Sequence, residues 1–286
     1  MDFKRTCLNL IPDKTYLKLQ FRRKMGYRLH VDRPVTFNEK LQWLKLYDHR
    51  PEYTTMVDKH AGKDYIAKIA GESYVIPTID VWEQFEQIEF DQLPDKFVLK
   101  CTHDSGGLVI CRDKSALDIE AAKKKINASL KRNYYHGGRE WPYKDVPPRI
   151  IAEIYLENAS GEALTEYKIF CFNGEPKLVL VCKGEAHGSG RTNDYCDLDM
   201  NLLPFTSKNP NSKGTMTKPP ELEEILSVSR KLSAGIPFLR VDTYIVDGHV
   251  YVGELTFFHN AGFGKFEPKE WDKTLGNWIQ LPDRGE

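Results

Sequence analysis

Residues 239–257 read LRVDTYIVDGHVYVGELTF. Two runs rich in β-branched and aromatic residues flank Asp247-Gly248, a dipeptide typical of tight β-hairpin turns. The stretch therefore predicts an antiparallel pair of strands. Three charged residues, Arg240, Asp242 and Glu254, interrupt these otherwise apolar strands. Because an unpaired buried charge is costly, we expect these side chains to pair with one another or to hold a metal ion.

The turn of this hairpin fixes which charged residues share a face. A two-residue loop would pair Asp242 with Gly253 and place Glu254 on the opposite face. A three-residue loop over residues 246–248, with a left-handed glycine in a bulge, would instead pair Arg240 with Glu254. We predict the three-residue loop, since it places two carboxylates and a guanidinium together. Two carboxylates suit Mg²⁺ beside nucleotide phosphates, and the alternative is a salt-bridge cluster without metal.

A glycine-containing loop between two short strands is the second feature that carries chemistry. Residues 97–101 (FVLKC) and 108–111 (LVIC) are apolar runs that predict the strands. Lys100 lies at the end of the first strand, and the loop contains His103, Ser105, Gly106 and Gly107. A cation beside exposed backbone amides can hold phosphate oxygens. The loop matches neither the P-loop nor the dinucleotide-binding glycine pattern.

The spacing of apolar residues predicts helices mainly in the first half of the chain. Thr36 and Glu39 have the spacing of a capping box, which marks a helix start. The predicted helical stretches are residues 1–50, 54–70, 117–130 and a later one opened by Pro219-Pro220. Residues 133–149, with their glycines and prolines, indicate a connector.

Strand patterns dominate from Ile150 onward. Asn173-Gly174 lies between two apolar runs, which predicts another hairpin. Together with the helices, this pattern predicts an α+β fold with antiparallel sheets.

The composition is that of an ordinary globular protein, with 41% hydrophobic and 29% charged residues. Lys+Arg 41 and Asp+Glu 41 balance, which argues against binding nucleic acid through bulk charge. The sequence shows neither an apolar run of ~20 residues nor the apolar core of a signal peptide, so we expect a cytoplasmic protein. Lysines and arginines concentrate between residues 4 and 28, which indicates a solvated helix face or a contact with an anionic substrate, a membrane surface or a lipid-linked substrate.

Six scattered cysteines lack the spacing of a zinc site. We interpret them as reduced residues, several of them in apolar strands, where a thiol behaves as a small hydrophobic group.

Taken in order, four segments of the chain resemble ATP-grasp proteins. They are Asp58-Lys59, residues 97–100 with the glycine loop, residues 151–156 (IAEIYL), and Arg240-Val-Asp242 followed by residues 253–257 (GELTF). Within that superfamily the chain looks most like the branch named for teichuronopeptide biosynthesis, on residues 36–40 (TFNEK), 97–101 and 253–257. The resemblance extends from about residue 10 to residue 282. It implies an ATP-grasp fold, in which two α+β lobes hold ATP and a mobile glycine loop covers the phosphates.

The resemblance also implies roles for individual residues. The residues that match nucleotide contacts are Lys59, Lys100, His103, Ser105, Gly106, Gly107, Glu153, Tyr155, Leu156, Glu166 and Lys168. Glu162 is an alternative to Glu166 as the ribose-binding acid. Asp242 and Glu254 match the magnesium ligands, and Arg240 matches the arginine that, with Lys100, stabilises charge during phosphoryl transfer. Thr256 stands where relatives usually carry asparagine, which puts a second metal site in doubt.

These matches divide the chain into three regions. They are a helical substrate region over residues 1–92, a small lobe over 93–149 with the glycine loop, and a large lobe over 150–286 with the metal site. The implied reaction joins a carboxylate to an amine through an acyl phosphate, using ATP and Mg²⁺. The branch implies a uronic-acid-containing sugar and an amino acid or other amine, in capsule or exopolysaccharide biosynthesis.

Two alternatives stay open at the level of sequence. Asp197-Leu-Asp199 formally matches the Asp-x-Asp of glycosyltransferases. The departure at Thr256 is compatible with a non-catalytic assembly protein that retains an ATP-grasp shell. Arg191 and residues 193–199 are candidates to line an acceptor pocket, and their other interpretation is a solvated loop.

Overall fold

A computed structural model describes residues 11–184, 190–212 and 216–283 of the chain. In these ranges eight α-helices accompany nine β-strands, and the strands form two antiparallel sheets. The fold is therefore α+β, as the sequence predicts. Cys7 and the first basic residues, Lys4 and Arg5, lie outside the described residues.

Four helices make up the N-terminal region. They are α1 (Asp13–Met25), α2 (Phe37–Tyr47), α3 (Glu52–Val57) and α4 (Ala61–Ile69). The predicted capping box begins α2: Thr36 Oγ1 accepts from the Glu39 amide at 3.2 Å, and Glu39 Oε2 accepts from the Thr36 amide at 3.1 Å. Two backbone amides without partners inside the helix are thereby satisfied.

The single helix predicted over residues 54–70 is wrong, because two helices meet there at a turn. Asp58 leaves the helical conformation, with φ −69° and ψ 117°. Its carboxylate accepts from the His60 amide at 2.9 Å and from Arg149 Nη2 at 2.7 Å. Such side-chain hydrogen bonds compete with the helical backbone pattern. Lys59 therefore lies in a turn between two helices.

The smaller sheet has the strand order β1–β4–β2–β3. Its strands are β1 (Thr78–Trp82), β2 (Phe97–Cys101), β3 (Leu108–Cys111) and β4 (Ile150–Ile154). Helix α5 (Ile119–Leu130) packs against this sheet, and Ile126 shares a small core with Phe97 and Leu99. The short helix α6 (Tyr135–Gly138) lies between α5 and β4 in the chain.

The small sheet contains strands from all three regions of the predicted division at residues 92 and 149, and that division stays a prediction. β4 lies between β1 and β2: Val81 pairs with Ile151, and Leu99 pairs with Ala152. Both outer segments of the chain thus contribute a strand to the small sheet. Pairing between segments about 70 residues apart leaves no local mark in the sequence.

The larger sheet has the order β7–β6–β5–β8–β9. Its strands are β5 (Glu166–Phe172), β6 (Glu175–Lys183), β7 (Thr192–Cys196), β8 (Phe238–Val246) and β9 (His249–Thr256). The predicted hairpin at Asn173-Gly174 joins β5 to β6, and both turn residues have positive φ. Helices α7 (Leu222–Ser233) and α8 (Glu270–Trp278) complete the region.

The N-terminal helices share the core of this larger sheet. The ring centroid of Phe37 on α2 lies 4.9 Å from that of Phe238 on β8. Leu17 and Phe21 of α1 are fully buried in the same core. The helical region is therefore packed onto the large lobe, and it brings the α3–α4 turn next to β9.

The hairpin of β8 and β9 has a two-residue turn, so the predicted three-residue loop is wrong. Val246 pairs with His249, and both Asp247 and Gly248 between them have positive φ. Such a turn matches the right-handed twist of the strands. The extra residue lies further along β9, where Gly253 forms a bulge between the pairs Asp242–Glu254 and Thr243–Val252.

Glycine explains the position of that bulge. A Cβ atom at Gly253 would lie 2.7 Å from the Tyr244 ring. Because the bulge shifts the register by one residue, Asp242 lies directly opposite Glu254, and Arg240 lies opposite Thr256. The charged residues thus reach one face of the hairpin by a different route from the one predicted.

Candidate active site

Arg240 and Asp242 form the centre of a charged cluster on the large sheet. They lie two residues apart on β8, so their side chains share a face. Arg240 Nε donates to Asp242 Oδ1 at 2.6 Å, and Nη2 donates to Oδ2 at 2.7 Å. Nη2 also donates to Thr256 Oγ1 at 3.1 Å. Burial opposes the charge, but Asp242 outweighs it and raises the pKa of Arg240, so the guanidinium stays charged.

A neutral histidine supports the guanidinium from the side. Arg240 Nη1 donates to His259 Nδ1 at 2.9 Å. Burial and the nearby Arg240 charge lower the pKa of His259 well below its usual value. Nδ1 is therefore free to accept a hydrogen bond, which fixes the orientation of the Arg240 side chain.

Lys168 on β5 connects Asp242 with a second carboxylate. Its ammonium contacts Asp242 Oδ2 and lies 2.6 Å from Glu166 Oε1. Glu166 also accepts from Arg191 Nη2 at 2.8 Å and from the Tyr244 hydroxyl at 3.2 Å. Burial would raise the pKa of Glu166, but Lys168 and Arg191 lower it to about 2. These residues form an ionic network in which each charge has a partner.

Glu254 is a partly exposed carboxylate in this group. Its side chain is 39% exposed, whereas that of Asp242 is 2% exposed. Thr256 Oγ1 donates to Glu254 Oε1 at 3.2 Å, and Arg240 Nη2 lies 3.5 Å from the same oxygen. Burial acts to raise the pKa of Glu254, but Lys59 and Arg240 hold it below its usual value. Glu254 is therefore an ionised acid with oxygen lone pairs left for a ligand.

A small cleft opens in front of Glu254. The α3–α4 turn forms one wall and β9 forms the other. Residues that line it include Asp58, Lys59, Gly62, Lys63, Tyr143, Val252, Gly253, Glu254 and Leu255. Lys59 Nζ donates to the Asp104 carbonyl at 2.5 Å, so its side chain extends from the turn to the glycine loop.

A second ionic group lies on the small sheet. The buried carboxylate of Glu153 on β4 contacts Lys63 Nζ at 2.6 Å and also the Lys100 ammonium. Burial would raise the pKa of Glu153, but the two lysines lower it. Lys63 Nζ further donates to the Ile76 carbonyl at 2.5 Å. Glu153 thereby fixes two cations, one of which lines the cleft.

The glycine loop joins β2 to β3 and has two different parts. Ser105 and Gly106 are exposed, whereas Gly107 is buried. A Cβ atom at Gly107 would lie 2.5 Å from Ser129 Oγ, so close packing on α5 requires glycine there. The buried His103 ring donates through Nε2 to the Ser129 and Arg132 carbonyls, at 3.2 and 3.0 Å. Its side chain therefore holds the end of α5, which leaves Ser105 and Gly106 as the exposed tip.

One family sequence pattern, described as TupA-like ATP-grasp, matches residues 39–280. The chain belongs to the TupA-like ATP-grasp family. No curated protein is significantly similar to it.

Several solved structures of ligases and synthetases are similar to the chain. The D-alanine–D-alanine ligase of Bacillus anthracis, in complex with ATP, is 18% identical over 71% of this chain and 55% of its own, with a TM-score of 0.41. The ADP complex of purK, an N5-carboxyaminoimidazole ribonucleotide synthetase, is 16% identical over 77% and 50%, with a TM-score of 0.47. The chain spans about half the length of these two proteins, and the likeness concerns the fold alone.

The segment after β4 connects the small sheet to the large sheet. Tyr155 and Leu156 are half-buried there, and the Tyr155 hydroxyl accepts from Arg112 Nε at 3.1 Å. Glu166 begins the next strand within the ionic network, whereas Glu162 is exposed. The position favours Glu166 over Glu162 as the acid nearer the site.

The sequence interpretation missed three ionisable residues near these clusters and gave Arg191 a different role. Lys63 pairs with Glu153, and His259 contacts Arg240. Arg191, a candidate for the acceptor pocket, pairs with Glu166. The third missed residue is Glu140, a buried acid within the stretch that was interpreted as a connector. Its one local signal is a charge placed directly before Trp141-Pro142-Tyr143, an apolar and aromatic run.

Three further features of the sequence can be compared with the described structure. Asp197 Oδ1 accepts from the Asp199 and Asn201 amides at 3.0 and 2.8 Å, so this carboxylate closes its own turn. Five described cysteines are free and buried, in agreement with the expected reduced core residues. Across the described ranges, no helix has the length and apolar character needed to span a bilayer.

Proposed function

We propose that this protein is an ATP-dependent ligase that joins a carboxylate to an amine through an acyl phosphate. The observation that carries the proposal is Glu254, an ionised and partly exposed acid beside the buried Arg240–Asp242 pair. It faces a cleft that Lys59 and Lys63 also line. A carboxylate and cations around one cleft suit a magnesium nucleotide, whose phosphates are anionic and whose metal prefers oxygen ligands.

The acidic residues fit a magnesium ion that arrives with the nucleotide. Glu254 has one described hydrogen-bond donor, Thr256, and each carboxylate oxygen offers about two lone pairs. Asp242 lies directly opposite it, and its Oδ1 accepts a single described hydrogen bond, from Arg240. Glu254 would be the more accessible ligand and Asp242 its neighbour. When bound, Mg²⁺ would neutralise charge on the phosphoryl group being transferred.

The nucleotide would lie between the two sheets. The exposed amides at Ser105 and Gly106 would contact its phosphates, together with Lys59 and Lys100. Lys100 is held by Glu153, so this acid positions the cation and its carboxylate is already engaged. The backbone at Tyr155 and Leu156 would meet the adenine ring, and Glu166 would face the ribose.

The chemistry needs positioning and charge neutralisation more than covalent help from the protein. A carboxylate oxygen of the substrate attacks the γ-phosphorus, the bond from that phosphorus to the β-phosphate oxygen breaks, and ADP leaves. The amine nitrogen then attacks the acyl carbon, and phosphate departs to leave an amide. Arg240 lies where it can stabilise negative charge in both steps, because its guanidinium is fixed by Asp242 and His259.

The family name links the chain to surface polysaccharides, which supports a uronic-acid-containing sugar as the carboxylate and an amino acid or other amine as its partner. On this proposal the enzyme acts in the cytoplasm, in capsule or exopolysaccharide biosynthesis. Asp197 closes a local turn, so no observation favours the glycosyltransferase alternative.

ADP release in an enzyme-coupled assay tests the proposal. Glucuronate and galacturonate serve as carboxylates, and ethanolamine and glycine as amines. We expect release that needs both substrates and is lost in Glu254→Gln, whereas Glu175→Gln, on the exposed face of β6, stays active. ATP binding without any turnover would favour the non-catalytic assembly protein, and transfer from a nucleotide sugar without ATP would favour the glycosyltransferase.

A further inference from the structure

Glu140 is a buried acid to which no function has yet been assigned. Only 4% of its surface is exposed. Its carboxylate has neither a hydrogen bond nor an ion pair with any residue in the described part of the chain. A buried carboxylate without such a partner is costly, so its retention calls for an explanation from ligand binding.

Lys45 is the cation that acts most strongly on Glu140, but its hydrogen bonds go to other groups. Its ammonium donates to the Gly138 and Ala261 carbonyls, each at 2.7 Å, and to Gln42 Oε1 at 3.2 Å. An ammonium has three hydrogens, and all three are used. Lys45 therefore attracts Glu140 through charge alone and leaves both carboxylate oxygens available.

The surroundings of Glu140 connect it to the reaction centre. Charged residues of α1, α2, β8 and β9 interact electrostatically with Glu140, and so do the phenols of two tyrosines. These groups are Lys24, Lys45, Arg240, Glu254, Tyr134 and Tyr143. Tyr143 lines the cleft, and it interacts with both Glu254 and Glu140. The Glu140 carboxylate lies beside Ala261, which is two residues along the chain from His259, the residue that contacts Arg240.

We propose that Glu140 binds the ammonium group of the amine substrate and accepts one of its protons. This inference rests on the proposed ligase function and adds the site of the second substrate. An ammonium has no lone pair, so it must lose a proton before its nitrogen can attack. The proton passes to a Glu140 oxygen, the nitrogen forms the bond to the acyl carbon, and the carbon–oxygen bond to phosphate breaks. The second proton on nitrogen leaves with the phosphate.

The backbone around Glu140 leaves room for its carboxylate. A Cβ atom at Gly138 would lie 2.9 Å from Glu140 Oε1 and 3.0 Å from the Ala261 Cβ. Gly138 therefore allows the carboxylate to fold back over α6. Gly138→Ala should displace the carboxylate while keeping its charge.

Comparison of two amines tests the proposal. Hydroxylamine is unprotonated at neutral pH and needs no base, whereas ethanolamine is an ammonium. With ATP and glucuronate, we expect Glu140→Gln to lower kcat/KM for ethanolamine by roughly 100-fold or more, the usual contribution of a general base. Hydroxamate formation from hydroxylamine should change little. Glu140→Asp should recover part of the ethanolamine activity, and Glu175→Gln serves as the exposed control.

Equal losses with both amines would assign Glu140 a structural role and overturn the proposal, and so would unchanged activity with ethanolamine. Calorimetric binding of ethanolamine to the protein loaded with magnesium and ADP provides a readout that needs no carboxylate. Binding that occurs in the wild type and disappears in Glu140→Gln supports the amine site even if no ADP is released. The absence of ADP release would contradict the ligase function and not the amine site. Binding that is absent from the wild type or unchanged in the variant would overturn it.

Discussion

Replacing Lys168 with methionine should destabilise the protein through two carboxylates at once. The Lys168 side chain is 12% exposed and contacts both Asp242 and Glu166. Removing one partner of a buried ion pair costs ~3–5 kcal/mol, because the remaining charge stays buried. Asp242 keeps Arg240 and Glu166 keeps Arg191, so we expect a loss near the lower end, about 3 kcal/mol. For a chain of this size that loss lowers Tm by roughly 6 °C.

The pH dependence of this loss identifies its cause. The folded pKa of Glu166 is lowered to about 2, below the ~4.3 of an unfolded glutamate. Stability from Glu166 is therefore present above the unfolded pKa and is lost as the pH falls towards the folded value. Since Lys168 contributes to the low pKa, the Tm difference between wild type and Lys168→Met should be largest near neutral pH and shrink in acid.

Differential scanning calorimetry over this pH range provides the measurement, and Lys183→Met on the neighbouring strand β6 is the matched control. Lys183 is exposed, so its replacement should leave Tm nearly unchanged. Equal losses for both variants, or a difference that does not vary with pH, would show that the buried ion pairs of Lys168 do not stabilise the protein.

Three further predictions follow from single contacts. His259→Asn should flatten the acid side of the stability curve: the folded pKa of His259 is depressed, so the wild type loses stability as the pH falls below the unfolded value of ~6.5, which Tm against pH would show. Gly107→Ala should cost about 1–3 kcal/mol in urea unfolding, because the new Cβ would lie 2.5 Å from Ser129 Oγ, whereas Gly137→Ala has open space and serves as control. Thr36→Ala removes the capping box of α2 and should cost ~1 kcal/mol in the same assay; an unchanged midpoint would contradict this role.

Local patterns in the sequence predicted the elements that depend on neighbouring residues. The hairpin turns at Asn173-Gly174 and Asp247-Gly248 and the capping box at Thr36 each depend on residues a few positions apart. Both the α+β class and the two charged β8 residues on one face also follow from such patterns, because side chains alternate along a strand.

Long-range pairing explains what the sequence did not reveal. Lys63 reaches Glu153 from a segment 90 residues away, and β1 joins the small sheet through β4. Nothing local marks either pairing. The helix break at Asp58 likewise depends on Arg149, and the register of β9 depends on how Gly253 packs against Tyr244.

The burial of Glu140 likewise could not be predicted from its neighbours in the sequence. The stretch around it contains glycine and proline, which indicates a connector, and its burial arises only when α6 packs near Lys45 and Ala261. Candidate functional residues on such connectors can be identified from their tertiary contacts.

A crystal structure with ADP and magnesium would locate both the nucleotide and the ion. We predict the diphosphate in the cleft between the glycine loop and β9, near Lys59 and Lys100, with the ion bound by Glu254 and Asp242. A nucleotide bound elsewhere, or an ion that contacts neither carboxylate, would contradict this prediction.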